Sequence, residues 1–245
     1  MKKNLLFALF LFNINFLLAQ KNGRTKNAHE ENSKYQFSRE EITIPEYGLN
    51  RVEKLIKDSL HKDDFRSALD EKKYQSLSLR ERFTYNMINP EAYAQNCSFM
   101  PLVPDAQKKI FAELPIVFEG FHFSKRQDDF FMANSDSVIE WMRYSIAKTK
   151  KVGMNYKRVI EYVNAKQLIP VLIEAYDADK KDHDILTVLM LLMDRNKYPA
   201  FLNSDLHKRL YDAKETPFKS YVDYTLLNEA LIIKKAEDFY NGLSK

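Results

Sequence analysis

The chain has 245 residues, 45% of them hydrophobic, with 38 Lys and Arg against 34 Asp and Glu and a formal net charge of +4. So even a mixture of signs excludes the concentrated basic field that a nucleic-acid binder needs. One cysteine, Cys97, excludes an internal disulfide, and a chain of this length can bury a core without one.

At the N-terminus, Lys2 and Lys3 precede an apolar run from Leu5 to Leu18. Ala19 closes the run, and Gln20, Lys21 and Asn22 are polar. This three-part grammar predicts a cleavable signal peptide over residues 1–19 and an exported protein, periplasmic or secreted. A membrane span needs about 20 apolar residues, and this run is shorter and interrupted by Asn13 and Asn15. Losing Lys2 and Lys3 lowers the net charge from +4 to +2. Residues 20–41 are polar and predict a flexible leader. Residues 42–245 are expected to form a single helical domain.

Helical punctuation recurs along that body. Asn50 with Glu53, Ser78 with Glu81, and Ser124 with Gln127 all have capping-box spacing. Asn89-Pro90 reads as the opening of a short helical turn through Ala94, and Pro104 as the start of another ending near Leu114. The stretch Pro115 to Phe123 is aromatic and β-branched. Without an evident partner strand, it is expected to be an ordered aromatic loop set into the core.

Ser135 or Asp136 suits the cap of a helix bearing Val138, Ile139, Met142 and Ile146. Gly153 reads as a helix stop and Asn155 as the next cap. Leu168 to Tyr176 follows as a helix with Pro170 near its start. Ile185 to Met193 is apolar almost all round and is expected at the centre of the core. A small helix is predicted over Leu206 to Leu210. Thr216-Pro217 opens a terminal helical segment in two pieces, broken between Thr225 and Asn228 so that Glu229 avoids the apolar face. Gly242 ends the second piece.

Only five glycines are present, too few for the many positive-φ turns of sandwiches and barrels. The fold class predicted is therefore all-α: an irregular bundle of antiparallel helical hairpins, with solenoid-like stacking expected in the C-terminal half.

Residues 168–190 resemble one unit of a HEAT-type helical repeat, two antiparallel helices with a proline in the first and an Asp-x-Asp turn between. Pro170, Asp177 and Asp179 occupy those places, and Leu168, Leu172, Leu186 and Met190 the apolar ones. Asp182-His183 departs from the usual Val-Arg pair, and no second copy with this spacing follows. The resemblance implies helix stacking and a protein-binding surface, and no reaction.

For chemistry, no two of the five histidines have the four-residue spacing of a zinc protease, and no phosphate loop or serine elbow occurs. Glu119 and His122 could meet one metal ion or one substrate proton. The four aspartates of Asp177 to Asp184 fail the EF-hand pattern, and capping of the next helix explains them more simply. Cys97 is expected to be a small buried hydrophobe. Lys148, Lys150, Lys151, Lys157 and Arg158 cluster at one predicted corner. The binding candidates are thus Glu91, Glu119, His122, Lys150, Lys151 and Arg158, with no catalytic residue, metal or cofactor assigned.

The leading expectation is a non-catalytic envelope component that presents a helical surface to another envelope protein. The alternatives are an envelope hydrolase of peptide or glycan, using Glu91, Glu119 or His122, and a small-ligand or metal carrier. Convergence of Glu91, Cys97, Glu119 and His122 on one cleft would favour the enzyme, and their dispersal beside a broad apolar patch the binding module.

Overall fold

The computed structural model describes residues 30–59, 68–95, 103–115, 119–211 and 220–243, and no side chain of residues 93–95 or 119–121. The apolar leader, His29, His61, Cys97 and Thr216-Pro217 lie outside the described residues. Within them the protein is an all-α, multi-helix bundle with little sheet and no closed barrel. Its helices are α1 (30–38), α2 (Leu49–Lys57), α3 (Glu71–Gln75), α4 (Leu79–Ile88), α5 (Lys125–Ala133), α6 (Ser135–Thr149), α7 (Met154–Tyr162), α8 (Ile169–Ala178), α9 (His183–Arg195), α10 (Pro199–Leu202), α11 (Asp205–Tyr211) and α12 (Leu226–Gly242). Among the described residues, no helix is long and apolar enough to cross a membrane.

The core is built around α9. Ile185, Leu186, Val188, Leu189, Met190, Leu192 and Met193 are all buried, and Thr187 satisfies its hydroxyl on the Phe111 carbonyl at 2.9 Å. Helices α7, α8 and α12 pack around it. A helix that is apolar all round is stable only when neighbours enclose it. A smaller cluster, Val52, Leu69, Tyr74, Leu77 and Tyr85, joins α2, α3 and α4.

Two helix starts follow the sequence closely. Ser78 and Glu81 form a capping box on α4, and Ser124 and Gln127 form one on α5. Elsewhere the caps differ from expectation. Gly48, at φ 65, starts α2 in place of Asn50. Helix α6 stops at Lys150, which takes the left-handed conformation at φ 54, and Gly153 instead opens α7.

Four short strands correct the reading of the middle of the chain. The expected turn at Asn89–Ala94 is strand β1 (Ala92–Gln95), antiparallel to strand β3 (Glu119–His122) in the expected aromatic loop, with Ala92 opposite His122. The expected helix from Pro104 is a short 3-10 turn followed by strand β2 (Lys109–Phe111). This pairs with strand β4 (Tyr221–Asp223), where Ile110 lies opposite Val222. The terminal segment does break before Asn228: Thr225 caps α12 by accepting from the Asn228 amide at 3.1 Å. Its first piece is strand rather than helix, however. Glu229 is buried all the same, paired with Lys180 at 2.8 Å and with the Tyr224 hydroxyl.

Residues 30–41 are also more ordered than a loose leader. Helix α1 is followed by Arg39, which is buried against Asp184. Residues 41–46 then run as an extended strap over the start of α7. Glu41 accepts from the Met154 amide at 2.8 Å, and Thr43 Oγ1 accepts from the Gly153 amide at 2.7 Å. Asn155, expected as a cap, holds the strap instead: it accepts from the Thr43 amide at 2.9 Å and donates to the Thr43 carbonyl at 2.8 Å. The strap thereby satisfies donors that the first turn of a helix leaves open.

Candidate functional site

Glu91 lies between α4 and α5, and its carboxylate is fully engaged. It accepts from the Tyr85 hydroxyl and the Ser124 hydroxyl, each at 2.7 Å, and pairs with Arg126. Gln127 Oε1 accepts from the Glu91 amide at 2.9 Å, so the capping residue of α5 also fixes the chain entering β1. Arg126 continues to the Leu69 carbonyl at 2.9 Å and stacks 4.2 Å over the Tyr74 ring. Burial, with Glu91 accepting from it, pushes the Tyr85 phenol pKa up. Glu91 is a strut joining three elements and has no oxygen left for a substrate.

His122 and Arg158, 36 positions apart in the chain, line one cleft of about 440 Å³. Strand β3 supplies His122 and α7 supplies Arg158. Ile42 of the strap, Met87, Ile88, Phe123 and Met154 give the cleft an apolar wall. Glu119 precedes His122 on β3, opposite Gln95, and its side chain lies outside the described residues.

The charged groups of this cleft are unusual for what they lack. Arg158 donates to the Pro115 carbonyl at 2.8 Å, and burial lowers its pKa against the opposing pull of Glu161. Glu161 and Asp128 are both raised above the ordinary carboxylate range, chiefly by burial. Arg195 donates to the Glu161 backbone carbonyl. Among the described residues, none of these four side chains forms an ion pair within 4.0 Å. Partly buried Arg158, Glu161 and Asp128, together with exposed Arg195, thus line an apolar-walled space without pairing. Such groups cost stability unless a partner meets them.

The predicted basic cluster divides between clefts, and three of its members are ion-paired. Lys148 pairs with Glu46 at 2.6 Å, Lys150 with Glu174 at 2.8 Å, and buried Lys157 with Asp182 at 2.6 Å. Lys150 and Lys151 line a second cleft, of about 480 Å³, floored in part by Arg39, Lys157 and Asp182. Arg158 faces the other way, into the His122 cleft.

Three of the four aspartates between Asp177 and Asp184 are ion partners. Asp177 meets Lys180 at 3.6 Å, Asp182 meets Lys157, and Asp184 meets Arg39. Asp182 stands at the N-cap of α9 and its side chain makes no capping bond there. His183 is stacked on Tyr224 at 4.2 Å and hydrogen-bonds the Lys109 carbonyl at 3.1 Å, and burial lowers its pKa. Among the described residues, no three His, Cys, Asp or Glu side chains converge as metal ligands.

Glu161, Arg195 and Asp128 escaped notice in the sequence, where each reads as an ordinary exposed helical charge. The extended stretch at Ile42-Thr43-Ile44-Pro45 is legible in the sequence, but not its place beside both clefts, each of which Ile42 lines. Fold and site together describe a helical bundle with clefts along an N-terminal strap. Comparison with protein-family models, curated proteins and solved structures finds no match to this chain.

Proposed function

We propose that this chain is an exported, non-catalytic module, and that its His122–Arg158 cleft receives a polypeptide segment of a partner protein. The observation that carries the reading is the set of unpaired charges in that cleft. A small anion would meet Arg158 and Arg195, yet it would also face Asp128 and Glu161. A peptide segment can present an apolar side chain to Ile42 and Met154 and charges of both signs to the rim. Two further features agree with this reading: Glu91, one of the three candidates for hydrolysis, has its carboxylate taken up by Tyr85, Ser124 and Arg126, and the sequence of residues 168–190 resembles a HEAT-type unit, which would suit a protein-binding surface.

Export is part of the same proposal and rests on the leader of residues 1–19, whose removal would leave Gln20 or a near neighbour as the first residue of the mature protein. Mass spectrometry of the mature chain reads this directly, and an intact Met1 would remove the export claim.

Partner binding is tested by site-specific photo-crosslinking in the native host. A photoreactive phenylalanine analogue replaces Tyr162, which lines the cleft and is partly exposed. The same analogue at exposed Lys234 on α12 is the control. A discrete protein adduct from position 162 and not from 234 supports the reading. The same adducts from both positions, or none from either, would end it.

A further inference from the structure

His183 is the first residue of α9, and it is only 4% exposed. Three other parts of the chain meet on its ring. From β2, the Lys109 carbonyl bonds Nδ1 at 3.1 Å. A carbonyl only accepts, so Nδ1 carries the hydrogen and Nε2 of the neutral ring is bare. Just after β4, Tyr224 stacks on the imidazole at 4.2 Å, nearly parallel at 14°. From α1, the Tyr35 ring tilts against it with centroids 6.2 Å apart.

This is a poor place for a second proton. The ring is buried, and the first turn of a helix is its positive end. The carboxylates around it already have cations: Asp184 has Arg39, Asp182 has Lys157 of α7, and Glu229 of α12 has Lys180 and the Tyr224 hydroxyl. The Lys109 ammonium lies over the Tyr221 ring, 3.8 Å from its centroid. Burial outweighs the Lys109 bond and the pull of Asp184 and Glu229, and holds the His183 pKa below its ordinary 6.5. Helix α1, for its part, has little apolar anchorage. Tyr35 and Phe37 are its only large apolar side chains, and Phe37 is 74% exposed. Segments with few buried apolar contacts open first.

We propose that His183 is a proton-operated clasp, which releases α1 from the first turn of α9 when it takes up a proton in mild acid. The closed form binds that proton less readily than the opened one. Closure is therefore complete above about pH 6.5 and weakens as pH falls below it. An opened-state imidazole of ordinary pKa limits the loss to about tenfold at pH 5.5. Tyr35, Ser38 and Arg39 line the cleft of about 480 Å³, so release of α1 opens one of its walls. The clasp stands apart from what the His122–Arg158 cleft receives.

Amide hydrogen exchange of the full chain tests this, with protection taken relative to unstructured-chain rates at each pH. Between pH 7.5 and pH 5.5, protection of residues 34–39 is expected to fall about three- to tenfold. Protection in α6, which packs chiefly on α8, should change by less than about twofold. His183→Asn keeps a donor for the Lys109 carbonyl and cannot titrate, so it should abolish the fall. The other four histidines remain in that variant, and a fall that they cause would persist in it. Should His183→Asn not fold, carbon NMR of the parent decides: the imidazole in contact with Tyr224 is expected to titrate below 6.5. The proposal is overturned by equal α1 protection at both pH values, by a fall that persists in His183→Asn, by an equal fall in α6, or by a His183 that titrates at 6.5 or above.

Discussion

Arg39 and Asp184 meet through two parallel hydrogen bonds, Nε to Oδ2 at 2.9 Å and Nη2 to Oδ1 at 2.8 Å, with side chains only 7% and 1% exposed. This pair ties the end of α1 to the first turn of α9, across 145 positions of sequence. Removing one partner strands a buried charge. Asp184→Ala or Arg39→Ala is therefore expected to cost about 3–5 kcal/mol in urea unfolding. The double variant Arg39→Met, Asp184→Leu should recover most of that loss, since well-packed apolar replacements avoid the desolvation cost. Additive losses in the double variant would show that the two residues are not coupled.

Gly153 is required by close approach rather than by its dihedral angles. A Cβ there would lie 2.1 Å from the Thr43 amide nitrogen and 2.5 Å from the Ile42 carbonyl carbon. Gly153→Ala is expected to lift the strap off α7 and to destabilise by about 1–3 kcal/mol, as overpacking does. Amide exchange at Thr43 should quicken. Gly242→Ala, where an added Cβ meets nothing within 4 Å, is the control and should be neutral or slightly stabilising.

Glu81 gives a pH dependence with a definite sign. Burial alone would raise its pKa, but hydrogen bonds from Ser78 and Arg51 outweigh burial and hold it below the ordinary value of 4.5. The folded chain therefore binds this proton less readily than the unfolded one. Its stabilising contribution is complete above about pH 4.5 and is lost as pH falls through the lowered folded pKa. Glu81→Gln should be about 1 kcal/mol less stable than the parent near neutrality. The gap should close in acid, and a constant gap from pH 7 to pH 3 would exclude this linkage.

How much of this was readable from the residues depends on how local each interaction is. The capping boxes of α4 and α5 lie within four residues, and both stand where the spacing put them. Helix α9 announces itself by a run from Ile185 to Met193 that is apolar but for Thr187. The strands do not, because each is three or four residues long and pairs with a segment far along the chain. The Asn89-Pro90 pair resembles a helix start and leads instead into β1. Residues 30–41 lack the apolar content to predict packing, and they are held by long-range polar contacts of Asn32, Arg39 and Glu41. In the site, His122 and Arg158 were each recognisable as candidates, and only tertiary structure brings them to one cleft. Glu91 stood out for its hydrogen-bonding neighbourhood, and those neighbours are what occupy it.

Under the proposed function, Arg158, which bonds only the Pro115 carbonyl, is left for a carboxylate of the partner segment. As a partly buried guanidinium bonded to one carbonyl, it contributes little to folding. Its replacement should change stability by about 1 kcal/mol or less, or about 3 °C in Tm for a chain of this size. The decisive measurement is the yield of the Tyr162-position adduct from Arg158→Leu relative to the parent, per folded molecule and at matched expression. The prediction is a fall of at least tenfold with Tm within about 3 °C of the parent. An unchanged adduct yield would contradict the account.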